Sequence, residues 1–308
     1  MTFEVLPAGQ LDLFLHAGAD RLANEVCNAL LERDALRAAD RILQLQSEAP
    51  SHPQLAAMRT LCAALPATPT ALPDPDAVGA YAQWLTLQVE PASRLALGSS
   101  APVFLEPLWH ELAERVRQVP YQPDRAENFC AAFYLRGNDP GSAQRAALGI
   151  ADHALEPAAL HWLAVAGFRS AGRRAVRPPL FRLSWLAPGR APAALAEIAD
   201  PLLRADWSEF WTVCDWLDPK SDAGAWFPVW YLYQYPTTRV PIQSLEPLPE
   251  SLPVRAFLAL QQLLDLEPGG HGAALINARA AFRELAPELF ALYMARRAAD
   301  AGRTGSAP

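Results

Sequence analysis

The sequence predicts an all-α protein. It is rich in Ala, Leu, Arg and Glu, and its Val, Ile and Thr residues nowhere form the alternating runs expected of strands. Apolar residues instead recur at helical spacing, for example at Ala38, Ile42 and Leu45. Most of the 29 prolines fall where such helices would begin or end. A chain of 308 residues with this pattern predicts many short helices, in one elongated solenoid or in two packed domains.

The first 65 residues predict three helices, over 11–31, 34–48 and 53–65. A pentad with Cys at its second position recurs in and beyond this region, at Val26–Leu30, Leu61–Leu65 and Phe129–Phe133. The first two cysteines are 35 residues apart, and the third follows 68 residues later, which is close to twice that distance. Such a period is typical of a two-helix repeat.

The second helix of this region is followed by proline and carries a small and then a large residue on one face. These positions are Ala38, Ile42 and Pro50. The pattern is similar to the tetratricopeptide repeat, although the first helix has Leu22, Val26 and Ala29 where that family has Trp, Gly and Tyr. The resemblance is clearest over residues 22–65. It implies a right-handed superhelix of antiparallel helix pairs, irregular after residue 170, whose concave face holds peptides or protein partners.

Further helices are predicted along the rest of the chain. Their ranges are 77–89, 106–119, 123–136, 140–154, 157–171, 254–266 and 273–299. Asp139-Pro140 and Glu156-Pro157 each pair a capping acid with proline at the first helical position. Gly137 is predicted to end a helix as a left-handed cap. The last helix has an apolar face at Ala278, Phe282, Leu285, Leu289 and Leu292.

These elements predict seven segments. They are tetratricopeptide-like helices at 1–65, a Pro-rich connector at 66–76, central hairpins at 77–172, an Arg- and Trp-rich helical region at 173–235, a Pro-rich linker at 236–253, a C-terminal hairpin at 254–300 and a disordered tail at 301–308. The composition shifts at the two Pro-rich stretches define most of these boundaries.

The net charge and the cysteines indicate which partners and which compartment to expect. The net charge is −7, which argues against general nucleic-acid binding, because that function favours a basic domain. The four cysteines, Cys27, Cys62, Cys130 and Cys214, are widely spaced without a CxxC pair and indicate buried residues in a reducing compartment. The sequence has no basic leader and no apolar run of about eighteen residues. We therefore expect a cytoplasmic protein with no membrane span, and the oligomeric state stays open.

One short stretch, His110–Glu114, suggests a metal site. His110 and Glu114 are four residues apart, with Glu111 between them, so His110 and Glu114 share a helical face. The zincin motif has a second His where this chain has Glu114, which puts both the ligand pair and the role of the general base in doubt. The solvated face of a helix is the favoured interpretation, and no metal or other cofactor is assigned.

The most unusual local composition follows Phe168. No Asp or Glu occurs from Ala158 to Ala196, and six of the nine tryptophans lie between Trp185 and Trp230. Arginine and aromatic side chains together could form a surface for a carboxylate or phosphate, or they could fill and surround a thick core. The candidate partner-binding residues are Arg173, Arg174, Arg177, Arg182, Trp226, Trp230, Tyr231 and Tyr233.

Three functions are compatible with these features. The favoured one is a non-enzymatic adaptor or accessory subunit that binds another protein through a helical-repeat surface. The second is a helical accessory domain of a transferase or other biosynthetic enzyme, in which the Arg and aromatic residues contact a phosphorylated or glycosylated substrate. The third is a metal-dependent helical enzyme that uses His110, Glu111 and Glu114.

Overall fold

A computed structural model describes residues 8–65, 75–217, 222–269 and 272–304, and these ranges contain helices and no β-strand. The α-helices are α1 Ala8–Leu31, α2 Ala35–Glu48, α3 Leu55–Ala64, α4 Pro75–Trp84, α5 Glu90–Leu97, α6 Ala101–Val116, α7 Cys130–Arg136, α8 Pro140–Leu148, α9 Pro157–Ala171, α10 Arg173–Leu186, α11 Ala191–Ile198, α12 Pro201–Val213, α13 Phe227–Gln234, α14 Leu252–Leu266, α15 Ala273–Leu285 and α16 Pro287–Thr304. A π-helical turn, Leu85–Val89, joins α4 to α5. The predicted all-α class is confirmed.

Helix starts follow the capping chemistry in the sequence. The Glu156 carboxylate accepts from the N–H of Ala158 at 3.2 Å, and α9 begins at the intervening proline. The Asp139 carboxylate accepts from the N–H of Ser142 at 2.9 Å at the start of α8. These bonds satisfy N–H groups that have no partner within the first helical turn. The predicted helix over 157–171 is therefore confirmed at both ends.

The predicted helices are wrong in several details. The helix predicted over 123–136 is a 3₁₀-helix, Pro123–Asn128, followed by α7, because the chain is extended at Phe129, where φ is −81° and ψ is 145°. The helix predicted over 273–299 is two helices, because Pro287 has no N–H to donate and the chain leaves the helical conformation at Ala286, where φ is −149° and ψ is 70°. Gly137 does end α7, but its φ is −80°, and the left-handed residue is Asn138 with φ of 55°. Asparagine tolerates that conformation better than most residues.

The contacts between residues divide the chain into two compact units, Met1–Ser142 (unit 1) and Ala143–Pro308 (unit 2). The largest fully buried side chains of unit 1 include Phe104, Trp109 and Phe133. Those of unit 2 are mostly aromatic: Phe181, Phe210, Phe227, Trp230, Phe257 and Phe282. Helices that follow one another in the chain pack together, as α1 does with α2, α6 with α7, α9 with α10 and α14 with α15.

The contact between α9 and α10 in unit 2 depends on a glycine. A Cβ on Gly167 in α9 would lie 3.2 Å from the carbonyl oxygen of Ala175 in α10. That carbonyl lies four residues before Pro179, which has no N–H to donate to it. Gly167 therefore lets α9 approach a part of the α10 backbone that lacks its usual helical hydrogen bond.

The cysteines are all free. Burial raises the pKa of Cys130 to about 11 and that of Cys214 to about 12, so these two thiols stay protonated near neutral pH. Cys27 and Cys62 are half-buried, and the thiol of Cys27 donates to the carbonyl of Ala96 at 3.3 Å. Only Cys130 and Cys214 thus have the full burial that the sequence predicts for all four.

None of the helices in the described ranges is both long and apolar enough to cross a membrane. Most of the predicted connector at 66–76 and half of the predicted tail at 301–308 lie outside the described residues. The described half of that tail, 301–304, is the end of α16 and so is helical, not disordered. The repeated pentads lie in or at the start of α1, α3 and α7. The predicted superhelix of antiparallel pairs and the predicted segment boundaries stay predictions.

Candidate functional site

The candidate site of unit 1 is built on one long helical stretch, α4 to α5. The π-helical turn within it lies just before Pro91, which cannot donate a backbone hydrogen bond and whose ring crowds the carbonyl four residues earlier. The N–H of Glu90 accordingly bonds to the carbonyl of Leu85, five residues back. The wider turn accommodates the proline, and Thr86 and Leu87 lie within it.

Arg136, the last residue of α7, is held beside this turn by three groups. Its guanidinium carbon lies 4.6 Å from the centre of the Trp109 ring. Its Nη1 donates to the hydroxyl of Thr86 at 2.6 Å and lies 3.9 Å from the carboxylate of Glu90. The side chain nevertheless stays 45% exposed. The stacking and the hydrogen bond fix the guanidinium in place without removing it from solvent.

The aromatic residues that support Arg136 are themselves buried and stacked. Trp109 is only 1% exposed, and its ring stacks on Phe133 with 5.8 Å between the ring centres. Phe133 and Arg136 are three residues apart on α7, so they share one face of that helix. The buried pair Trp109 and Phe133 thus forms a fixed platform for the guanidinium.

Two clefts meet at Arg136. The first has a volume of about 450 Å³, and its lining includes Leu87, Glu127 and Phe133. The second has a volume of about 420 Å³, and its lining includes Arg94, Glu106 and Trp109. Arg136 lines both. We call the two clefts together the Arg136 groove, and each has the volume of an ordinary ligand pocket.

The groove follows one side of the α4 to α5 stretch. Its lining on this side runs from Gly79 in the first cleft to Gly98 in the second. At a rise of about 1.5 Å per residue these positions are roughly 28 Å apart. An extended peptide advances about 3.3 Å per residue, so the groove has the length of about eight peptide residues.

Gly137 sets the position of Arg136. A Cβ on Gly137 would lie 2.9 Å from the backbone nitrogen of His110 and 3.1 Å from the carbonyl oxygen of Glu106, both in α6. Only glycine lets the end of α7 approach α6 this closely. Gly137 is therefore a positioning residue for the guanidinium that precedes it.

The charges of the groove alternate along its length. Glu127 lines the first cleft and Glu106 the second, and neither carboxylate has a hydrogen bond or an ion pair with any residue that the structure describes. Arg94 and Glu90 lie 3.6 Å apart and offset one another. What remains is a negative charge in each cleft and the positive charge of Arg136 at their junction.

No protein-family model, curated protein or solved structure matches this chain. The interpretation of the groove consequently depends on its own residues and geometry. For the same reason, the likeness to the tetratricopeptide repeat stays a prediction.

The residues of the metal hypothesis have separate partners. His110 Nε2 lies 3.5 Å from a carboxylate oxygen of Asp139. Glu111 accepts from Arg33 at 2.6 Å, and Glu114 accepts from the hydroxyl of Tyr134 at 2.7 Å. In the part of the chain that the structure describes, no three His, Cys, Asp or Glu side chains form a group that could hold a metal ion.

These polar pairs shift two nearby pKa values. Burial raises the pKa of Asp139, but hydrogen bonds from Ser142 and the charge of a protonated His110 outweigh it, so the carboxyl's pKa is lower than usual. Burial and the hydrogen bond to the Glu114 carboxylate raise the pKa of Tyr134 well above its usual range. Tyr134 is therefore a neutral hydrogen-bond donor that ties α7 to α6.

The four predicted arginines do not form one surface. Arg173 makes a two-pronged ion pair with Asp200, with contacts of 2.5 and 3.0 Å. Arg177 lies over the Tyr231 ring at 5.7 Å. Arg182 is buried, its Nη2 donates to the carbonyl of Ala154, and its burial lowers its pKa. Arg174 is exposed and has no polar partner among the described residues.

The predicted aromatic residues lie mainly in the core. Trp230 and Tyr231 are buried, and the Trp230 ring stacks on Phe227 with 5.9 Å between ring centres. Trp226 is half-buried. Tyr233 lies under Arg296, whose guanidinium also donates to the Tyr233 carbonyl at 3.0 Å. This contact ties α16 to the end of α13, so most of the aromatic block contributes to packing.

Arg173 belongs to a polar network at the start of α12. Its hydrogen bond to Asp200 lowers the pKa of that carboxyl, while burial opposes the shift. Burial raises the pKa of Asp206, against the opposing effect of the Tyr235 hydroxyl, which donates to it at 2.6 Å. The network joins α10, α12 and the end of α13. Its hydrogen bonds satisfy the buried carboxylates of Asp200 and Asp206, which is why these polar groups can lie within the core.

The site residues predicted from the sequence do not include Arg136, Trp109 or Glu127. Their local sequence offers little signal, because a single Arg before Gly and a single Trp in an amphipathic helix are common. The spacing of Phe133 and Arg136 on one helical face was the only local indication. Tertiary packing brings Thr86 to Arg136 across fifty residues of chain.

Proposed function

We propose that this protein is a non-enzymatic binding protein that holds an extended segment of another protein in the Arg136 groove. The observation that carries the proposal is the state of Arg136. The Thr86 hydroxyl and the Trp109 ring fix its guanidinium, yet its Nε and Nη2 have no hydrogen-bond partner among the described residues.

The dimensions of the groove favour a chain segment over a compact ligand. The groove has the length of about eight extended residues. Its rim is open to solvent, because the Leu87 residue is 58% exposed and the Arg94 side chain 74% exposed. A peptide could lie along it, place side chains in both clefts and pass over Arg136 between them. The proposed role is that of an adaptor or accessory subunit.

Site-specific photo-crosslinking tests the proposal. A benzophenone amino acid placed at Leu87, inside the first cleft, should form an adduct with a partner protein in the native host. The matched control is Leu43 in the same unit, which is 66% exposed and does not line either cleft. Mass spectrometry of the adduct then identifies the crosslinked segment.

The decisive measurement compares the binding of that segment, as a synthetic peptide, to the parent protein and to Arg136→Gln. We expect fluorescence anisotropy to show that it binds the purified protein, and that Arg136→Gln weakens this binding. Adducts that form equally at Leu87 and Leu43, or a peptide that binds the variant as tightly as the parent, would refute the groove as the binding site.

A further inference from the structure

The charged groups of the Arg136 groove that lack hydrogen-bond partners among the described residues indicate which peptides it accepts. We propose that the bound segment carries an acidic residue that pairs with Arg136, flanked by basic residues that pair with Glu127 on one side and Glu106 on the other. This inference rests on the proposed function and specifies its ligand.

The acidic residue follows from the geometry of Arg136. Guanidinium groups bind carboxylates through two parallel N–H groups, and this arginine has Nε and Nη2 without a partner among the described residues. Its nearest carboxylate, Glu90, lies 3.9 Å away, which is beyond hydrogen-bonding distance. A carboxylate from a ligand can therefore make hydrogen bonds that no described side chain makes.

The basic residues follow from the two glutamates. Glu127 is exposed in the first cleft and Glu106 is half-buried in the second. A peptide with acidic residues throughout would place like charges against both. Such juxtapositions are unfavourable, and they give an interface specificity by excluding wrong partners. The complementary order along the ligand is basic, acidic, basic.

Selection from a random peptide library displayed on phage tests this order directly. Purified full-length protein is the bait, and the enriched sequences from the parent are compared with those from Arg136→Gln and Glu127→Lys. The matched control is Arg125→Gln. Arg125 has a similar exposure to Arg136, pairs with Asp76 at 2.6 Å and does not line either cleft.

We expect the parent and Arg125→Gln to enrich the same basic-acidic-basic pattern. Arg136→Gln should lose the acidic preference, and Glu127→Lys should replace one basic position by an acidic one. For a synthetic peptide with the enriched sequence, Arg136→Gln should weaken binding by about ten- to a hundredfold, as expected for a charge-assisted pair. Arg125→Gln should leave the affinity within about twofold, since exposed pairs elsewhere on the surface contribute little.

The outcomes separate the two proposals. If the parent enriches no peptides, the proposed function fails and this inference fails with it. If peptides are enriched without an acidic position, or if the Glu127→Lys variant selects the same sequences as the parent, the charge order is refuted while peptide binding stands. Glu127 is exposed, so its variant gives a result even if a variant at Arg136 does not fold.

Discussion

Replacing Gly137 by Ala should disturb the end of α7 and with it the groove. The added Cβ would meet three backbone atoms of α6 at 2.9, 3.1 and 3.2 Å. These atoms lie in the middle of a helix and cannot move as a flexible side chain would. The φ of Gly137 is −80°, which alanine adopts without strain, so the whole effect is steric.

The size of the effect follows from two opposing contributions. Overpacking of this kind costs about 1–3 kcal/mol. Removing a glycine also restricts the unfolded chain, which stabilises the folded state by about 0.4–1 kcal/mol. We therefore expect a net loss of about 0.5–2 kcal/mol of unfolding free energy. The end of α7 should move away from α6, and Arg136 should move with it.

Urea unfolding and hydrogen exchange measure the two parts of this prediction. The urea midpoint should fall, and amides of α6 and α7 should exchange faster than in the parent. The control is Gly189→Ala, because a Cβ there meets no atom within 4 Å. Equal stability of the Gly137 and Gly189 variants, with unchanged exchange in α6, would refute the close approach.

Three further substitutions test the packing of unit 2. Gly167→Ala should lower the unfolding free energy by about 1–2 kcal/mol, measured by urea unfolding, because the new methyl group presses on the backbone of α10. Asp200→Asn should cost about 1 kcal/mol above pH 5, since the partly exposed Arg173 loses its charged partner while the helix cap is kept. The pKa of Asp200 is lowered in the folded state, so the stabilisation by its ion pair is present above the carboxyl's unfolded pKa and is lost as the pH falls through the folded pKa. The difference in unfolding free energy between Asp200→Asn and the parent should therefore disappear in acid. Trp230→Ala should cost about 3–5 kcal/mol in thermal unfolding followed by circular dichroism, and a loss below about 1 kcal/mol would contradict its place in the core.

The all-α class and many helix boundaries could be predicted because they depend on local chemistry. The acid at Glu156 and the proline after it specify the start of α9, and the glycine after Ala171 allows its end. The break before Pro287 was missed because the apolar spacing continues across it, from Phe282 to Leu289, and both residues are buried. The apolar pattern indicates which face of a helix is buried, but it does not indicate whether the helix continues without a break.

The candidate site could not be predicted, because composition does not distinguish a core from a surface. Six tryptophans between Trp185 and Trp230 were compatible with a binding face or with a thick core. The structure buries Trp185 and Trp230 and packs Trp207 edge-on against Phe227, with 5.0 Å between ring centres. Arg136 has an unremarkable local sequence. Its environment exists only once α6 and α7 pack beside the π-helical turn.

The π-helical turn also determines the rotational phase of the two ends of its helix. Gly79 and Gly98 both line the groove and are nineteen residues apart. Five turns of regular α-helix take about eighteen residues, so one additional residue has been absorbed between them. Deleting a single residue from Leu85–Val89 would leave eighteen residues, or five regular turns, so Gly79 and Gly98 would keep a common face. Inserting one residue would instead turn everything after it by about 100° and carry Glu90 and Arg94 away from the second cleft. The alignment of the groove should therefore survive the loss of one residue from this turn and be lost when one is added.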